Sequence, residues 1–304
     1  MGLKESGLRG SLRSVSTGVG AIPDSVAYGG NDGNTYLHDI SDWSLLQTLT
    51  ESSNNVTGVA LSDEFIAYTE GFGDDNTFVH DLIEGDLVYT LSEAGASLND
   101  VALSGEFIAY GSNDDNAYVH NTSDGSLVQT LTEASGSVEG IDLSGEFIAY
   151  GSSDDNAYVH DISDWSLVQT LTEASAILTS VALSDELIAY GSADDNAYVH
   201  DITDGSLVQT LTEASDTVDG VALSGEFIAY GSNDDNVYVH NTSDGSLVQT
   251  LTEASDNVNG VALSDELIAY GSNDGNTYLH DISDWSLVQT LTESSASVRD
   301  VALL

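Results

Sequence analysis

LTEASGSVEGIDLSGEFIAYGSSDDNAYVHDISDWSLVQT, residues 131–170, is the stretch whose reading decides the fold, and close copies of it fill nearly the whole chain. Four short apolar runs are visible in it: Val138 to Ser144, Phe147 to Ser152, Ala157 to Ile162 and Ser166 to Glu173. Each is rich in Val, Ile, Leu, Tyr and Thr, has strand length and falls short of a helix. The links between them, Ser-Gly-Glu, Asp-Asp-Asn and Ser-Asp-Trp, suit antiparallel hairpins and leave no room for crossover helices. Phe147 and Ala149 alternate with Ile148 and Tyr150, so both faces of the sheet are apolar. A small sheet covered on both sides needs a neighbour on both sides, which a radial arrangement of four-stranded sheets supplies.

Working outward, one histidine per copy marks the register: His38, His80, His120, His160, His200, His240 and His280. The spacing is forty residues after a first interval of forty-two, the extra residues lying in Glu70-Gly71-Phe72-Gly73, a longer turn between second and third strands. Seven sets of second, third and fourth strands result. The chain then ends on Ser297-Val298-Arg299-Asp300-Val301-Ala302-Leu303-Leu304, which reads as one more first strand. Paired with the N-terminal set, it closes the ring without a covalent link and removes exposed edges there. A degenerate segment, Ser14 to Ile22 with Val19, competes for that place. The C-terminal strand is favoured because it keeps the repeat pattern, whereas the other has Pro23 and no matching apolar pair. Residues 1–13 read as a tail and 14–304 as one repeated domain.

The copies also identify their turns. Gly33 and Gly275 replace Asp155, so this position is expected to have positive φ, and the Asp-Asp-Asn string reads as a hairpin turn rather than a calcium loop. Trp43, Trp165 and Trp285 alternate with Gly85, Gly125, Gly205 and Gly245 at another turn. A residue interchangeable with glycine is not expected in the core, and Trp43 and Trp285 fall in neighbouring sheets of a seven-membered ring. Their indoles are candidates for a partner or sugar contact, or fold over their own sheet edge.

Composition sets the rest. Of 304 residues, 51 are Asp or Glu and four are Lys or Arg, for a formal net charge of −47. Lys4, Arg9 and Arg13 precede the repeats, which leaves Arg299 as the one fixed cation of the repeated body. Nucleic acid is excluded as an expected partner, since binding rests on Lys and Arg against phosphate. Such a surface repels itself at moderate salt, and the balance resembles that of proteins from salt-loving archaea. The chain has no cysteine, hence no disulfide or thiolate site. No apolar stretch has the length to cross a bilayer, and no secretory signal is legible. A cytoplasmic protein is expected, although a secreted chain stripped of its signal would read the same.

The strings Val-x-Gly-Val-Ala-Leu-Ser, Ile-Ala-Tyr-Gly-Ser-x-Asp, Tyr-Val-His-Asp and Leu-Val-Gln-Thr-Leu resemble the WD-repeat β-propeller family over residues 26–304. The resemblance implies an all-β, seven-bladed β-propeller of four-stranded antiparallel blades. Two departures stand out. His160-Asp161 takes the place of the family's Trp-Asp pair, and Glu173-Ala174 aligns with its Gly-His, so the family's His–Trp hydrogen-bond cluster cannot form here. The unit is also similar to quinoprotein-type propeller repeats through Gly-Ser-x-Asp-Gly-Asn-x-Tyr. Fold transfers under either name, and activity does not.

Internal variation is the best pointer to function. Copies that agree almost everywhere differ just before and within the first strand: Asn55 and Thr57, then Asn99, Glu139, Thr179, Asp219, Asn259 and Arg299. In the resembled family these loops ring the mouth of a central channel, and Phe72 would stand on the same side. Loops on a rigid scaffold usually carry recognition. The seven histidines, about 15 Å apart between neighbouring blades, cannot share an ion and are expected to pack beside the tyrosines of the third strand. No catalytic residue, metal site or cofactor is expected, because seven identical Ser, His and Asp placements signify repetition. The expectation is a non-catalytic scaffold binding a protein or peptide at the mouth. A quinoprotein-like or lyase-type enzyme, and a carbohydrate-binding module using the tryptophans, are the alternatives. A monomer is expected, and near-identical copies also permit a strand-exchanged dimer.

Overall fold

The computed structural model describes residues 24–73 and 75–304, as seven four-stranded antiparallel sheets arranged as a β-propeller. The expected tail 1–13 and the Ser14–Ile22 segment lie outside the described residues. In the copy that opened the reading, the strands are Val138–Leu143, Phe147–Ser152, Ala157–Asp161 and Leu167–Leu171, counted outward from the axis. Ring closure is as expected. Val298–Leu303 forms the inner strand of the N-terminal blade, with Val26 opposite Leu303, Ala27 opposite Ala302 and Tyr28 opposite Val301.

The apolar clusters lie between blades rather than inside them. One joins Ala109, Val119 and Leu131 of one blade to Val138, Ile141, Ile148 and Tyr150 of the next. The closing interface has the same form, with Ala269, Leu279 and Leu291 against Val26, Tyr28, Val298 and Val301. Each buried Val, Leu or Ile there stabilises by about 1.5–3 kcal/mol. Close approach of neighbouring inner strands is what reserves Gly140: a Cβ at this position would sit 2.6 Å from Ser180 Cα.

Turn chemistry follows the sequence reading. Asp155 has φ of 70°, and Gly33 and Gly275 take 78° and 88°. The Ser-Asp-Trp turn is also left-handed at its third residue: Trp165 has φ of 60°, where Gly125 has 69°. The fourth strand is largely exposed. Leu167 and Val168 are exposed and only Leu171 of that strand is fully buried. No blade flank covers the outer rim, so its aliphatic side chains stay in water, as a share of any protein's apolar residues does.

Candidate functional site

All seven inner strands carry a bulge or register shift near their start. In the copy that opened the reading the register jumps between Val138 and Gly140, so Glu139 has no partner in the ladder. A bulge re-aims the side chain of its extra residue. Here it brings seven residues together: Thr57, Asn99, Glu139, Thr179, Asp219, Asn259 and Arg299 all line a central channel of about 330 Å³. The positions where the copies diverge are therefore brought together in one ring.

The donors of this ring are spent on the scaffold. Thr57 Oγ1 donates to Leu98 O at 2.9 Å, and Asn99 Nδ2 to Val138 O at 2.8 Å. Thr179 Oγ1 donates to Val218 O, and Asn259 Nδ2 to Val298 O at 2.6 Å. Each bond ties one inner strand to the next. Arg299 is exposed and its Nε donates to Asn31 Oδ1 at 3.0 Å, away from the axis. Burial pushes the Asp219 carboxyl up to about 6, against the lowering effects of the Asn233 side chain and the Arg299 charge. Burial also raises Glu139.

Below the ring, three carboxylates cross between blades. Asp100 Oδ2 accepts from Ile141 N at 2.9 Å, Asp142 Oδ2 from Leu183 N at 2.7 Å and Asp300 Oδ2 from Val59 N at 2.8 Å. Burial raises all three, Asp142 and Asp300 to about 6, and the Asp300 charge adds to the rise at Asp100. Other copies hold Gly, Ser or Ala at these positions. Sequence reading passed over them because a lone Asp in an acidic chain carries no signal.

A second network was also missed. His160 is buried, as expected, but it stacks on Tyr150 of the second strand, with centroids 5.7 Å apart, rather than directly on Tyr158. Its Nδ1 lies 3.0 Å from Trp165 O, a geometry that makes this nitrogen the donor. The Tyr150 hydroxyl donates to Glu133 Oε2 at 2.8 Å and lies 3.4 Å from His160 Nε2. Glu133 comes from the loop that leaves the preceding blade, so the trio clasps two blades. In the Glu173 copy the hydroxyl of Tyr190 sits nearer His200, at 2.9 Å, and burial lowers the His200 pKa despite Gly205 O and Glu173. Tyr150→Phe leaves Glu133 and His160 facing each other without the bridging hydroxyl. A loss of about 1–3 kcal/mol is expected, read as a lower midpoint in a denaturant melt; an unchanged midpoint would remove the clasp from the account.

The remaining candidates divide between the two ends of the blades. Phe72, 62 % exposed, and Asn55 stand at the mouth, where Gly71 N donates to Asn55 O at 3.0 Å. The tryptophans are at the opposite end. They are half-buried rather than free: Trp165 meets Phe107 of the preceding blade edge-on at 5.3 Å, and Trp285 meets Phe227 in the same way. Trp43 packs into the closing interface. The Asp-Asp-Asn turn uses its first carboxylate as a tie: Asp154 accepts from Ser135 N at 2.7 Å and Tyr158 Oη at 2.9 Å. Burial pushes Asp154 up, but these bonds together hold it below the ordinary range. Among the described residues no group of three or more His, Cys, Asp or Glu is arranged to hold a metal ion.

No family model and no curated protein matches the chain. Among solved structures, the crystal structure of the computationally designed Ika8 protein is similar, with a TM-score of 0.74 and 20 % identity over 91 % of this chain and 86 % of that one. At that identity the likeness concerns the fold alone. No helix among the described residues is long and apolar enough to cross a membrane.

Proposed function

We propose that the protein is a non-catalytic recognition scaffold, related to WD-repeat propellers, that binds a protein or peptide across the channel mouth. One observation carries this reading. Within each near-identical copy, the residue that varies most is the one its strand start delivers to the channel. The copies also differ at the opposite end, as at Trp165 and Gly125 or Ile162 and Thr122, but there over fewer residue types.

The setting we propose is a cytoplasm of high salt, with the chain a monomer. The support is the charge of −47, whose self-repulsion falls as the Debye length shrinks from about 8 Å at 0.15 M to about 3 Å at 1 M. Circular dichroism across a KCl series checks the salt requirement, and a cooperative fold at 50 mM KCl without divalent ions would end it. The sugar-binding alternative loses ground because the indoles pack on neighbouring aromatic and aliphatic side chains.

The test of the recognition reading is a pull-down at molar KCl. Baits are the wild type, a ring variant (Glu139→Ser, Asp219→Ser, Arg299→Ser) and a Trp43→Ala, Trp285→Ala variant. A partner held by the wild type and the tryptophan variant but lost from the ring variant is the expected result. Equal capture by all three would overturn it.

A further inference from the structure

We infer that the channel mouth takes a basic side chain, Lys or Arg, of the bound partner. This rests on the recognition reading above and adds the chemical class of its ligand. The argument is an inventory of hydrogen-bonding capacity around the ring. Thr57, Asn99, Thr179 and Asn259 spend donors on carbonyls of the next blade. Asn99 and Asn259 spend the same amide nitrogen a second time, on Asn113 Oδ1 and Asn273 Oδ1. What remains toward the axis is acceptor capacity: the amide oxygens of Asn99 and Asn259, the threonine lone pairs, and two carboxylates. Asn259 is only 9 % exposed, and its Oδ1 receives no hydrogen bond among the described residues. Glu139 is half-buried and accepts none either.

A ligand that satisfies a ring of acceptors must bring donors, and charge decides which kind. An anion entering the axis meets Glu139 and Asp219, then Asp100, Asp142 and Asp300 below them. Arg299 offsets these only in part: its charge reaches Asp219, while its Nε is held by Asn31 at the rim. An ammonium or guanidinium group brings several N–H donors and positive charge together, and charge-assisted bonds of this type are the stronger ones. The field of an acidic body draws such a group inward.

Fluorescence anisotropy with three labelled pentapeptides, Gly-Ser-X-Ser-Gly with X as Lys, Arg or Gln, tests this on the full chain. The Lys and Arg probes are expected to bind at least tenfold more tightly than the Gln probe. Glu139→Thr with Asp219→Asn, both residues that other copies place in the ring, is expected to weaken them about tenfold. Asp164→Asn with Asp284→Asn, in exposed turns at the opposite end, is expected to leave binding within twofold. Arg299→Thr, the residue of Thr57 and Thr179, is expected to tighten the basic probes about threefold, a gain that damage to the fold cannot produce. A Gln probe bound as well as the basic ones, no binding of either basic probe, or equal loss in the opposite-end variant would overturn the inference. A partner that still requires the ring in the pull-down would then leave the recognition reading standing without its ligand class.

Discussion

Deletion of Val298–Leu304 is expected to lower the thermal midpoint by about 10–20 °C or to abolish the single cooperative transition. The strand contributes Val298 and Val301 to the closing interface, both almost fully buried. At about 1.5–3 kcal/mol each, their loss alone removes a large part of the ~5–15 kcal/mol that holds a typical domain folded. The deletion also strips five ladder pairs from Val26–Gly30, the Asp300 bond to Val59 N, and the acceptor of Asn259. For a chain of this size, 1 kcal/mol corresponds to about 2–4 °C. A synthetic peptide of the missing strand, added in excess, should restore part of the midpoint. An unshifted melt after deletion would mean that closure contributes little and that each interface stands alone.

The second large effect is on pH. Two populations of carboxylates pull stability in opposite directions. Asp32, Asp114, Asp154, Asp194, Asp234 and Asp274 are pushed up by burial, but backbone and tyrosine hydrogen bonds outweigh that and hold them below the ordinary value. Their contribution is present above about pH 4, the unfolded Asp value, and is lost as pH falls below it. Asp142, Asp219 and Asp300, raised to about 6, work the other way, as does Asp100. Their contribution is full below about pH 4 and is lost as pH rises through about 6. Stability at constant ionic strength is thus expected to peak at about pH 4, the unfolded Asp value, and to decline as pH rises through about 6. Asp142→Ala gives this copy the residue found at its position in the other six. It is expected to raise the midpoint at pH 8 and to flatten the decline. A midpoint climbing steadily from pH 5 to pH 8, or a steeper decline in the variant, would sink the assignment.

Much of the fold was legible because repetition supplies its own alignment. Seven histidines fix the blade count, and the Asp155 and Trp165 positions betray their left-handed backbone by exchanging with glycine. The ring at the mouth was legible by the same comparison run in reverse, through Glu139 and its counterparts. What stayed hidden depends on geometry across blades. Glu133, Tyr150 and His160 recur in every copy with close equivalents, yet nothing in one copy shows that the glutamate arrives from the blade before. The carbonyl partners of Thr57 and Asn259 are backbone atoms, which sequence does not distinguish, so the donor-poor character of the channel could not be read. Exposure of Leu167 and Val168 depends on their place at the outer rim, which an apolar pattern alone does not show.

The manner of closure has a topological outcome. Leu304 N donates to Ser25 O at 3.0 Å, so the last residue lies against the start of the first described strand. Six inner-to-second-strand junctions are made by short covalent turns such as the one at Gly145, and the seventh by contact alone. Nothing in the packing singles out the seventh as a seam. A permuted gene that tethers residue 304 to residue 24 and opens the chain at Gly145 specifies the same wheel with its gap moved three blades round.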